Sequence, residues 1–563
     1  MEFKALHLYA AVMVLLLGSS VNFIQSPTDV LGPVALLEPT PSSKSDFGAV
    51  VSDSPFAVMR PESSGDIALL LGALSSVAPS PRATVAARGA GHSLHGQAQA
   101  RGGIVVETRA LPRDVQVAAV AHGHGDSGGA TTMPAYADVG AGALWVEVLE
   151  ECLKAGLAPP SWTDYLYLTI GGTLSNAGIS GQTFKHGPQI SNVLQLEVVT
   201  GTARPQLFCS LSANFRLVRY VSDVLAVSLA GKGEVVTCSP TKSPELYYAV
   251  LGGLGQFGII TRARIPLQLA PPKVRWVRVF YDSFETFTGD QELLVSMPEQ
   301  VDYVEGFMVL NEQSLESSSI SFPAQINFNP DFGSNGRKKV YYCIEFAVHD
   351  FQLNGSSADH VVEQVSGKLS YLKPHRYSVE VSYFDFLNRV RMEEESLRSR
   401  GLWDVPHPWL NMFVPKHGAT QFKDLLMDTV SADDFEGPVL VYPLLTDKWD
   451  GNTSAVVPAT AEGVMYIFGV LRSTDPARCG RECVERIREQ HRRVADEACR
   501  SGNGGGIGAK QYLARQPSPA HWRDHFGSTG WGRFAARKAR FDPRHVLGPG
   551  QGIFPRTDNA ASM

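Results

Sequence analysis

One glycine-rich run constrains this chain of 563 residues more than any other feature. Residues 88–97 read Arg-Gly-Ala-Gly-His-Ser-Leu-His-Gly-Gln, and they follow residues 83–87, which are typical of a short buried strand. The glycines ahead of His92 let the backbone approach a flat or phosphate-bearing ligand closely, because no Cβ stands in the way. A histidine held at that point can bond covalently to a cofactor. We therefore expect the other parts of a cofactor site elsewhere in the chain.

A second segment, 161–178, combines an acidic residue with another glycine-rich stretch. Glycines, threonines and serines at 169–178 suit a backbone cradle for a pyrophosphate. Asp164 stands among Trp162 and Tyr165, and apolar surroundings tend to raise the pKa of a carboxyl, as a general base near neutral pH requires. The alternative is a turn carboxylate that caps a helix, and composition alone leaves both interpretations open.

Chain length and net charge limit the number of domains and the classes of partner. A chain of this length exceeds what one hydrophobic core supports, so two or more domains are expected. The net charge of −6 gives no basic field that would attract nucleic acid or an anionic membrane.

The pattern of elements divides the chain. Residues 48–270 alternate short strands with helices, including helix patterns at 66–78 and 144–155, as in an α+β ligand-binding domain. Residues 271–510 indicate a second, α/β domain. Its β patterns lie at 274–281 and 339–346, and its helix patterns at 357–372 and 484–500. Residues 511–555 have no strong periodicity, so we expect them to pack onto a domain that is already formed.

The N-terminus predicts a signal peptide over residues 1–22. Lys4 precedes a mostly apolar run at 5–17, which is followed by small residues. An anchor helix is the alternative, but the run is shorter than the ~20 residues that span a bilayer. We therefore expect the secretory pathway, with the cell exterior, vacuole or endoplasmic reticulum as destinations. Glycosylation sequons at Asn354 and Asn452 suit that route.

Two other classes of site are disfavoured. Gly253, Gly255 and Gly258 fit a G-x-G-x-x-G pattern, but a helix pattern precedes them and a strand pattern follows, the reverse of a dinucleotide fold. A metal site is suggested by histidines and an aspartate in one stretch, yet small flanking residues predict an exposed flexible loop there, and we expect no metal. The members are His92, His95, His122, His124 and Asp126.

The seven cysteines are dispersed, unlike those of a disulfide scaffold. Cys479 and Cys483 lack zinc-ribbon spacing and are interpreted as core or helix residues.

Taken together, the longer motifs resemble those of plant cytokinin oxidase/dehydrogenases, within the flavoproteins related to vanillyl-alcohol oxidase and p-cresol methylhydroxylase. The resemblance runs from about residue 50 to 555. The motifs that carry it are Gly91-His92-Ser93, the run 162–182, Gly187-Pro188-Gln189, 252–264, 406–411 and Pro549-Gly550-Gln551.

The resemblance implies an α+β, two-domain flavoprotein. Its PCMH-type FAD-binding domain would comprise 48–270 plus 511–555, with the α/β cytokinin-binding domain, 271–510, between them. FAD would be linked covalently to His92. The family's further cofactor-contacting positions are Gly89, Ala90, Gly91, Ser93, Gln97, Asp164, Thr169, Ser175, Ile179, Ile259, Tyr512 and Gln551. The catalytic and substrate-binding positions are Asp164, Glu305, Val390, Glu393 and Asn411.

The implied reaction cleaves the N6 side chain of a cytokinin such as isopentenyladenine or zeatin. Asp164 accepts the nitrogen-bound proton, hydride passes to the flavin, and the imine hydrolyses to adenine and an unsaturated aldehyde. Oxygen or a quinone is the expected electron acceptor, and a monomer without nucleic-acid or membrane partners is expected. The alternatives are a secreted flavin oxidase of another small alcohol or sugar, or an inactive member of the family.

Residues 202–231 depart from the family pattern. Segments 198–201 and 232–238 read as two strands of one hairpin, yet 30 oddly apolar residues separate them. We hypothesise that this insertion is a retained intron or a gene-model error, and sequencing the transcript across the junction tests that. Ala90 and Gly548 are smaller departures, and each affects one flavin contact.

Overall fold

The computed structural model describes residues 35–76, 83–118, 121–124, 130–203, 233–323, 340–352, 357–431, 435, 437–500 and 506–554. The predicted signal peptide, Asn354 and residues 204–231 of the insertion lie outside these ranges. Within them, no helix is both long and apolar enough to cross a membrane.

A small sheet carries the glycine-rich run. Three of its strands are parallel and a fourth pairs antiparallel at one edge; in order they are Leu36–Leu37, Ala57–Met59, Ile104–Glu107 and Val85–Arg88. Val85 and Ala86 are almost fully buried, which confirms the predicted strand. The run at 88–97 therefore starts where this strand ends, a position that holds its backbone against the rest of the domain.

A five-stranded antiparallel sheet completes the first domain. Its order is Gly233–Cys238, Gln195–Ala203, Ile259–Pro266, Tyr136–Gly140 and Val115–Ala118. Val198 pairs with Val236 and Val199 with Val235, so the two segments flanking the insertion are neighbouring antiparallel strands, as the hairpin pattern predicts. The first two residues of the insertion continue the strand Gln195–Ala203, and Ala203 pairs with Gly233 on the neighbouring strand.

An eight-stranded antiparallel sheet forms the second domain. Its order is Arg376–Ser382, Lys273–Tyr281, Tyr341–Asp350, Tyr303–Val309, Val439–Leu445, Val464–Val470, Leu410–Pro415 and Lys510–Tyr512. All seven residues of Tyr303–Val309 are buried, because helices cover this central strand. One apolar cluster contains Val139 and Trp145 from the first domain together with Trp276 and Tyr303 from this sheet, so the two domains share a core.

The helices lie beside these sheets. Those of the first domain are Pro41–Lys44, Ser64–Ser76, Trp145–Leu153, Ile170–Leu174, Thr183–His186 and Pro244–Val250. Those of the second are Phe284–Val295, Glu312–Ser319, Ser357–Ser366, Tyr383–Leu387, Val390–Ser399, Ala419–Thr429 and Arg481–Cys499. The predicted helices at 66–78, 144–155 and 484–500 are confirmed, whereas the one predicted at 357–372 ends at Ser366.

The remaining elements are short. Two-stranded ribbons pair Leu157–Ala158 with Gln268–Leu269 and Ala121–His124 with Ala130–Met133. Single 3₁₀ turns are Thr108–Ala110, Gln189–Ser191, Lys416–Gly418 and Thr446–Lys448. His122 and His124 lie in a ribbon strand and not in the predicted loop, while Asp126 lies outside the described residues. Over the described residues, no cluster of three or more potential metal ligands occurs.

The C-terminal segment is more regular than its sequence suggests. Residues Pro519–Phe541 are helical on both sides of Gly527, whose φ of +71° interrupts the helix, and this structure was not predicted from the sequence. Glycines at 527, 530 and 532 weaken the helical signal, while tertiary contacts stabilise the helix through the buried Trp522 and Phe534. Beyond it, Gly548 N donates to Val85 O at 3.1 Å, which returns the chain to the first domain.

Cys479 and Cys483 form a disulfide. Cys483 lies in the helix Arg481–Cys499, as the helix interpretation predicts, whereas Cys479 precedes that helix, and the pairing of the two was not predicted. They are four positions apart in the chain, and the turn at the start of the helix Arg481–Cys499 brings their Cα atoms to 5.2 Å.

Candidate active site

A cavity of about 680 Å³ opens between the two domains. The glycine-rich run, segment 161–178 and the C-terminal segment line one part, and the eight-stranded sheet with its helix Val390–Ser399 lines the other. Every site residue expected from the sequence lies on its wall: Gly89, Ala90, Gly91, His92, Ser93, Gln97, Asp164, Thr169, Ser175, Ile179, Ile259, Glu305, Val390, Glu393, Asn411, Tyr512 and Gln551.

Glycines let the backbone of this wall come close to a ligand and to itself. Gly91 has φ +73°, and a Cβ there would lie 2.2 Å from the Arg88 guanidinium. A Cβ on Gly89 would lie 2.0 Å from Thr169 Oγ1. The run thus needs glycine at both positions, as inferred from its sequence.

Buried polar contacts hold the glycine-rich run in place. Asp46 Oδ2 accepts from Ser93 Oγ at 2.8 Å and from Gly96 N at 2.6 Å. Gln97 Oε1 accepts from His95 N at 2.7 Å, while its amide nitrogen donates to Leu513 O at 3.1 Å. An N-terminal arm and the C-terminal segment therefore fix the run from two sides. His95 contributes its backbone N–H to this network.

The His92 ring lies among aromatic groups. It stacks on Phe47 with a centroid distance of 3.9 Å, and Tyr165 and Trp403 lie 4.8 and 6.0 Å away. Burial, followed by the charge that His407 could carry, lowers the pKa of His92 to about 3. The imidazole is neutral at physiological pH, so a ring nitrogen retains its lone pair.

The cavity wall also carries buried polar atoms without a partner in the described part of the chain. They include the Trp409 indole N–H and the Gln551 side-chain oxygen. The Thr169 hydroxyl and the glycine backbone add donors, and the Ser175 hydroxyl, which donates to Gly171 O, adds an acceptor. This combination of close backbone, hydroxyls and orphaned polar atoms suits a large ligand with a flat ring and a pyrophosphate, so the residues present fit FAD.

An acid cluster occupies the other part of the cavity. Tyr303 donates to Asp164 Oδ1 at 3.4 Å, and Arg389 Nη2 lies 3.8 Å from the same oxygen. Arg389 Nη2 is also 3.3 Å from Glu305 Oε2 and hydrogen-bonds to the Tyr303 hydroxyl. Burial raises the pKa of Asp164, and burial together with the neighbouring Asp164 charge raises that of Glu305 well above its usual range. Glu305 therefore keeps a proton and shares it with Asp164.

Cross-strand register brings the rest of the cluster together. Glu305 faces Glu345 on the next strand, and Glu345 faces Arg278 on the strand beyond. Arg278 Nε donates to Glu345 Oε2 at 2.8 Å, and Arg389 Nε lies 3.5 Å from Glu345 Oε1. With Glu305 protonated, the cations Arg278 and Arg389 balance the anions Glu345 and Asp164, so the buried cluster is close to neutral.

Three other expected residues complete this part of the wall. Val390 and Glu393 lie on the helix that carries Arg389, and burial raises the pKa of Glu393 to about 7. Asn411 lies on the strand Leu410–Pro415, directly opposite Tyr512, which joins the C-terminal segment to the sheet edge.

Sequence reasoning missed several residues of the site: Phe47, Arg278, Tyr303, Glu345, Arg389, Trp403 and His407. The signal that could have found some of them is a charge within an apolar strand pattern. Arg278, Glu305 and Glu345 each interrupt such a run and are almost fully buried, and a charge at such a position needs partners. The aromatic residues carry no comparable signal, because aromatic side chains are common in cores.

Comparison with known families agrees with this geometry. A family described as "Cytokinin dehydrogenase 1, FAD and cytokinin binding" matches residues 271–554, and an FAD binding domain matches residues 55–205. The first match covers about half of the chain and includes Glu305, Glu345 and Arg389, while Asp164 lies within the second.

Curated relatives and a solved structure are similar over almost the whole chain. "Cytokinin dehydrogenase 8" of Oryza sativa subsp. indica is 82% identical over 566 residues, 100% of both chains. "Cytokinin dehydrogenase 3" of Oryza sativa subsp. japonica is 58% identical over an alignment that spans 98% of this chain and 96% of the relative. A crystal structure of a VAO-type flavoprotein from Myceliophthora thermophila C1 shares the fold, with a TM-score of 0.57 and 14% identity over 90% of this chain and 80% of that one.

These similarities confirm the family and fold expected from the motifs, and they favour cytokinin oxidation over the alcohol, sugar and inactive alternatives. The chain belongs to the cytokinin dehydrogenase family of FAD-dependent oxidoreductases.

Proposed function

We propose that the cavity cleaves N6-alkenyl adenines oxidatively, with Asp164 as the base and His92 as the covalent attachment point of FAD. The observation that carries this proposal is the placement of Asp164, Glu305 and Arg389 in the same cavity as His92. When bound, FAD supplies the two-electron acceptor for a hydride from the carbon next to the substrate nitrogen.

Asp164 removes the proton from the N6 nitrogen of the substrate. Its raised pKa makes it a stronger base than an exposed carboxylate, while the hydrogen bond from Glu305 and the Arg389 charge limit that rise and favour its ionised form. As the nitrogen loses its proton, the adjacent C–H bond breaks and a C=N bond forms. Water then hydrolyses the imine to adenine and an unsaturated aldehyde.

Glu305 and Tyr303 orient the base. Glu305 is held by Arg389 on the central strand of the sheet, and Tyr303, two residues earlier on that strand, donates to Asp164 Oδ1. Glu393 and Asn411 line the same part of the cavity and are the polar groups proposed to contact the purine, with Val390 against its apolar face.

His92 is suited to covalent attachment because its imidazole is neutral and lies on the cavity wall. A covalent link would join a His92 ring nitrogen to a methyl carbon of the flavin. Its formation would break the imidazole N–H bond and one methyl C–H bond. The two protons and two electrons released would pass to the acceptor, oxygen or a quinone, that turnover would also need.

Anaerobic bleaching of the bound flavin tests this function. We expect isopentenyladenine and zeatin to reduce the flavin, and benzyl alcohol and glucose to leave it oxidised. Reduction by the alcohol or the sugar alone would reject the proposal. Acid precipitation tests the linkage separately, since covalent flavin stays with the pellet. Mixing the reduced enzyme with oxygen or a soluble quinone identifies the acceptor, and light scattering tests the expected monomer.

The secretory route is proposed from residues 1–22, the Asn452 sequon and the disulfide. Disulfides persist in oxidising compartments, and Asn452 is exposed. Expression in plant cells with mass spectrometry of the secreted fraction should give a mature chain that starts near residue 23 and carries a glycan on Asn452. An unprocessed chain confined to the cytosol would contradict this route.

A further inference from the structure

A stacked column of rings supports His92. The Phe47 ring lies between two imidazoles, 3.9 Å from His92 at 17° and 4.1 Å from His407 at 10°. The ring centroids of Trp403 and Trp409 lie 5.0 and 5.3 Å from that of Phe47, and their planes are inclined to it. His92 is therefore backed by two parallel rings that leave it little freedom to tilt.

The backbone fixes Phe47 at this position. Phe47 N donates to Gly91 O at 2.9 Å, and Gly48 N donates to Ser93 O at 3.0 Å. On the other side, His407 N donates to Gly48 O at 2.8 Å. The arm at 47–48 thus bridges the glycine-rich run of the first domain and a loop of the second. A Cβ on Gly48 would lie 1.9 Å from a backbone oxygen, so this close approach depends on glycine.

The far end of the column is fixed as well. His407 Nε2 lies 2.8 Å from Trp403 O, and because a carbonyl only accepts, Nε2 carries the hydrogen. His407 Nδ1 then accepts from Ser473 Oγ at 2.9 Å. Burial lowers the pKa of His407 to about 4, so the ring stays neutral and adds no positive charge beside His92.

We propose that Phe47 and His407 are positioning residues for flavin attachment, holding the His92 imidazole in the orientation from which its ring nitrogen bonds to the flavin. This inference rests on the covalent link proposed above. Bond formation requires a free lone pair aimed at one carbon atom, and a ring held against a rigid neighbour spends more time in that orientation. The rings of Tyr165 and Trp403 are tilted relative to the His92 ring, so the stacked Phe47 ring is the contact that sets the plane of the imidazole.

The test measures how fast flavin becomes acid-stable. Wild type, Phe47→Leu, Phe47→Tyr and His407→Gln are purified with bound flavin, incubated with oxygen, and precipitated in acid at intervals. Total flavin and the melting temperature are recorded for each. Since a stacked ring pair contributes modestly, we expect Phe47→Leu and His407→Gln to slow attachment about two- to tenfold at unchanged total flavin. Phe47→Tyr keeps the flat ring and should attach flavin at the wild-type rate.

Controls separate this inference from the proposed function. Phe56 is 45% exposed, so Phe56→Leu should leave the rate unchanged, and His92→Ala should abolish acid-stable flavin. Equal rates in wild type, Phe47→Leu and His407→Gln would reject the positioning role alone. A fall in total flavin and melting temperature without a change in the acid-stable fraction would also reject it, because that result indicates a purely structural role. Complete release of flavin by acid from wild type would reject the covalent link itself.

Discussion

Arg389 and Glu305 are hydrogen-bonded inside the cavity, with Arg389 Nη2 donating to Glu305 Oε2 at 3.3 Å and both side chains less than 10% exposed. The same guanidinium nitrogen is 3.8 Å from Asp164. One buried cation therefore serves two carboxyl groups, and two neighbouring carboxylates do not both ionise readily. The proton remains on Glu305, which leaves Asp164 free to act as the base.

Replacing Asp164 tests the base directly. Asp164→Asn keeps the shape of the side chain, so we expect the protein to retain its yellow flavin. Without a general base, the rate of flavin reduction by isopentenyladenine should fall roughly 100- to 10,000-fold in anaerobic stopped-flow measurements. Asp138→Asn is the matched control, because Asp138 pairs with Arg264 on the five-stranded sheet. Normal flavin reduction in Asp164→Asn would remove Asp164 from this role.

Removing the Arg389 charge should shift the pH dependence. The Arg389 charge lowers the pKa of Asp164, so Arg389→Met raises that pKa further. Because the base acts in its ionised form, the acid limb of the kcat/KM profile should move to higher pH. The free energy of unfolding should fall by about 3–5 kcal/mol, since the buried carboxyls lose a partner.

The control for Arg389→Met lies on the same helix. Arg391 pairs with Glu394 and Glu395 and is about one-third exposed, so Arg391→Met should keep the wild-type profile. An unshifted acid limb in Arg389→Met would show that the guanidinium does not act on Asp164.

Glu393 should make stability depend on pH. Its ordinary pKa of 4.5, taken for the unfolded chain, rises to about 7 in the folded protein. The folded state thus favours the protonated form, and its contribution to stability is lost as the pH rises through about 7. Glu393→Gln removes this loss, so its melting temperature relative to wild type should be higher at about pH 8 than at about pH 5.

The exposed Glu395 provides the comparison, and Glu395→Gln should show no such difference between the two pH values. If the difference in melting temperature between Glu393→Gln and wild type were the same at both pH values, Glu393 would have an ordinary pKa.

Gly550 should tolerate no side chain. A Cβ there would lie 1.9 Å from Gly96 O, a backbone atom that cannot rotate away. We expect Gly550→Ala to lower the free energy of unfolding by about 1–3 kcal/mol and to reduce flavin content, because the added methyl group pushes the C-terminal segment away from the glycine-rich run. Gly532 lies on an exposed helix face with open space around it, so Gly532→Ala should instead stabilise by up to ~1 kcal/mol. Equal stabilities for the two variants would contradict the close approach.

Local patterns predicted much of the fold and part of the site. The strand at 83–87, the amphipathic helix at 484–500 and the hairpin around the insertion follow from periodicity, which depends on nearby residues. The helix Pro519–Phe541 escaped prediction because its glycines weaken the local pattern, and packing around Trp522 supplies the stability. The disulfide was not predicted, because its geometry depends on a turn that the spacing of the two cysteines does not reveal.

The sequence by itself determined that a glycine-flanked His92 follows a buried strand and that Asp164 stands among aromatic residues, since both are properties of short segments. Only the tertiary structure decided how Asp164 is kept ionised and how His92 is held. Strand register places Glu305 opposite Glu345, a helix from elsewhere in the chain adds Arg389, and an N-terminal arm inserts Phe47 between two imidazoles. These contacts join residues far apart in the chain. Their charges and rings act on one another only at the few ångströms that folding creates, so no local pattern encodes them.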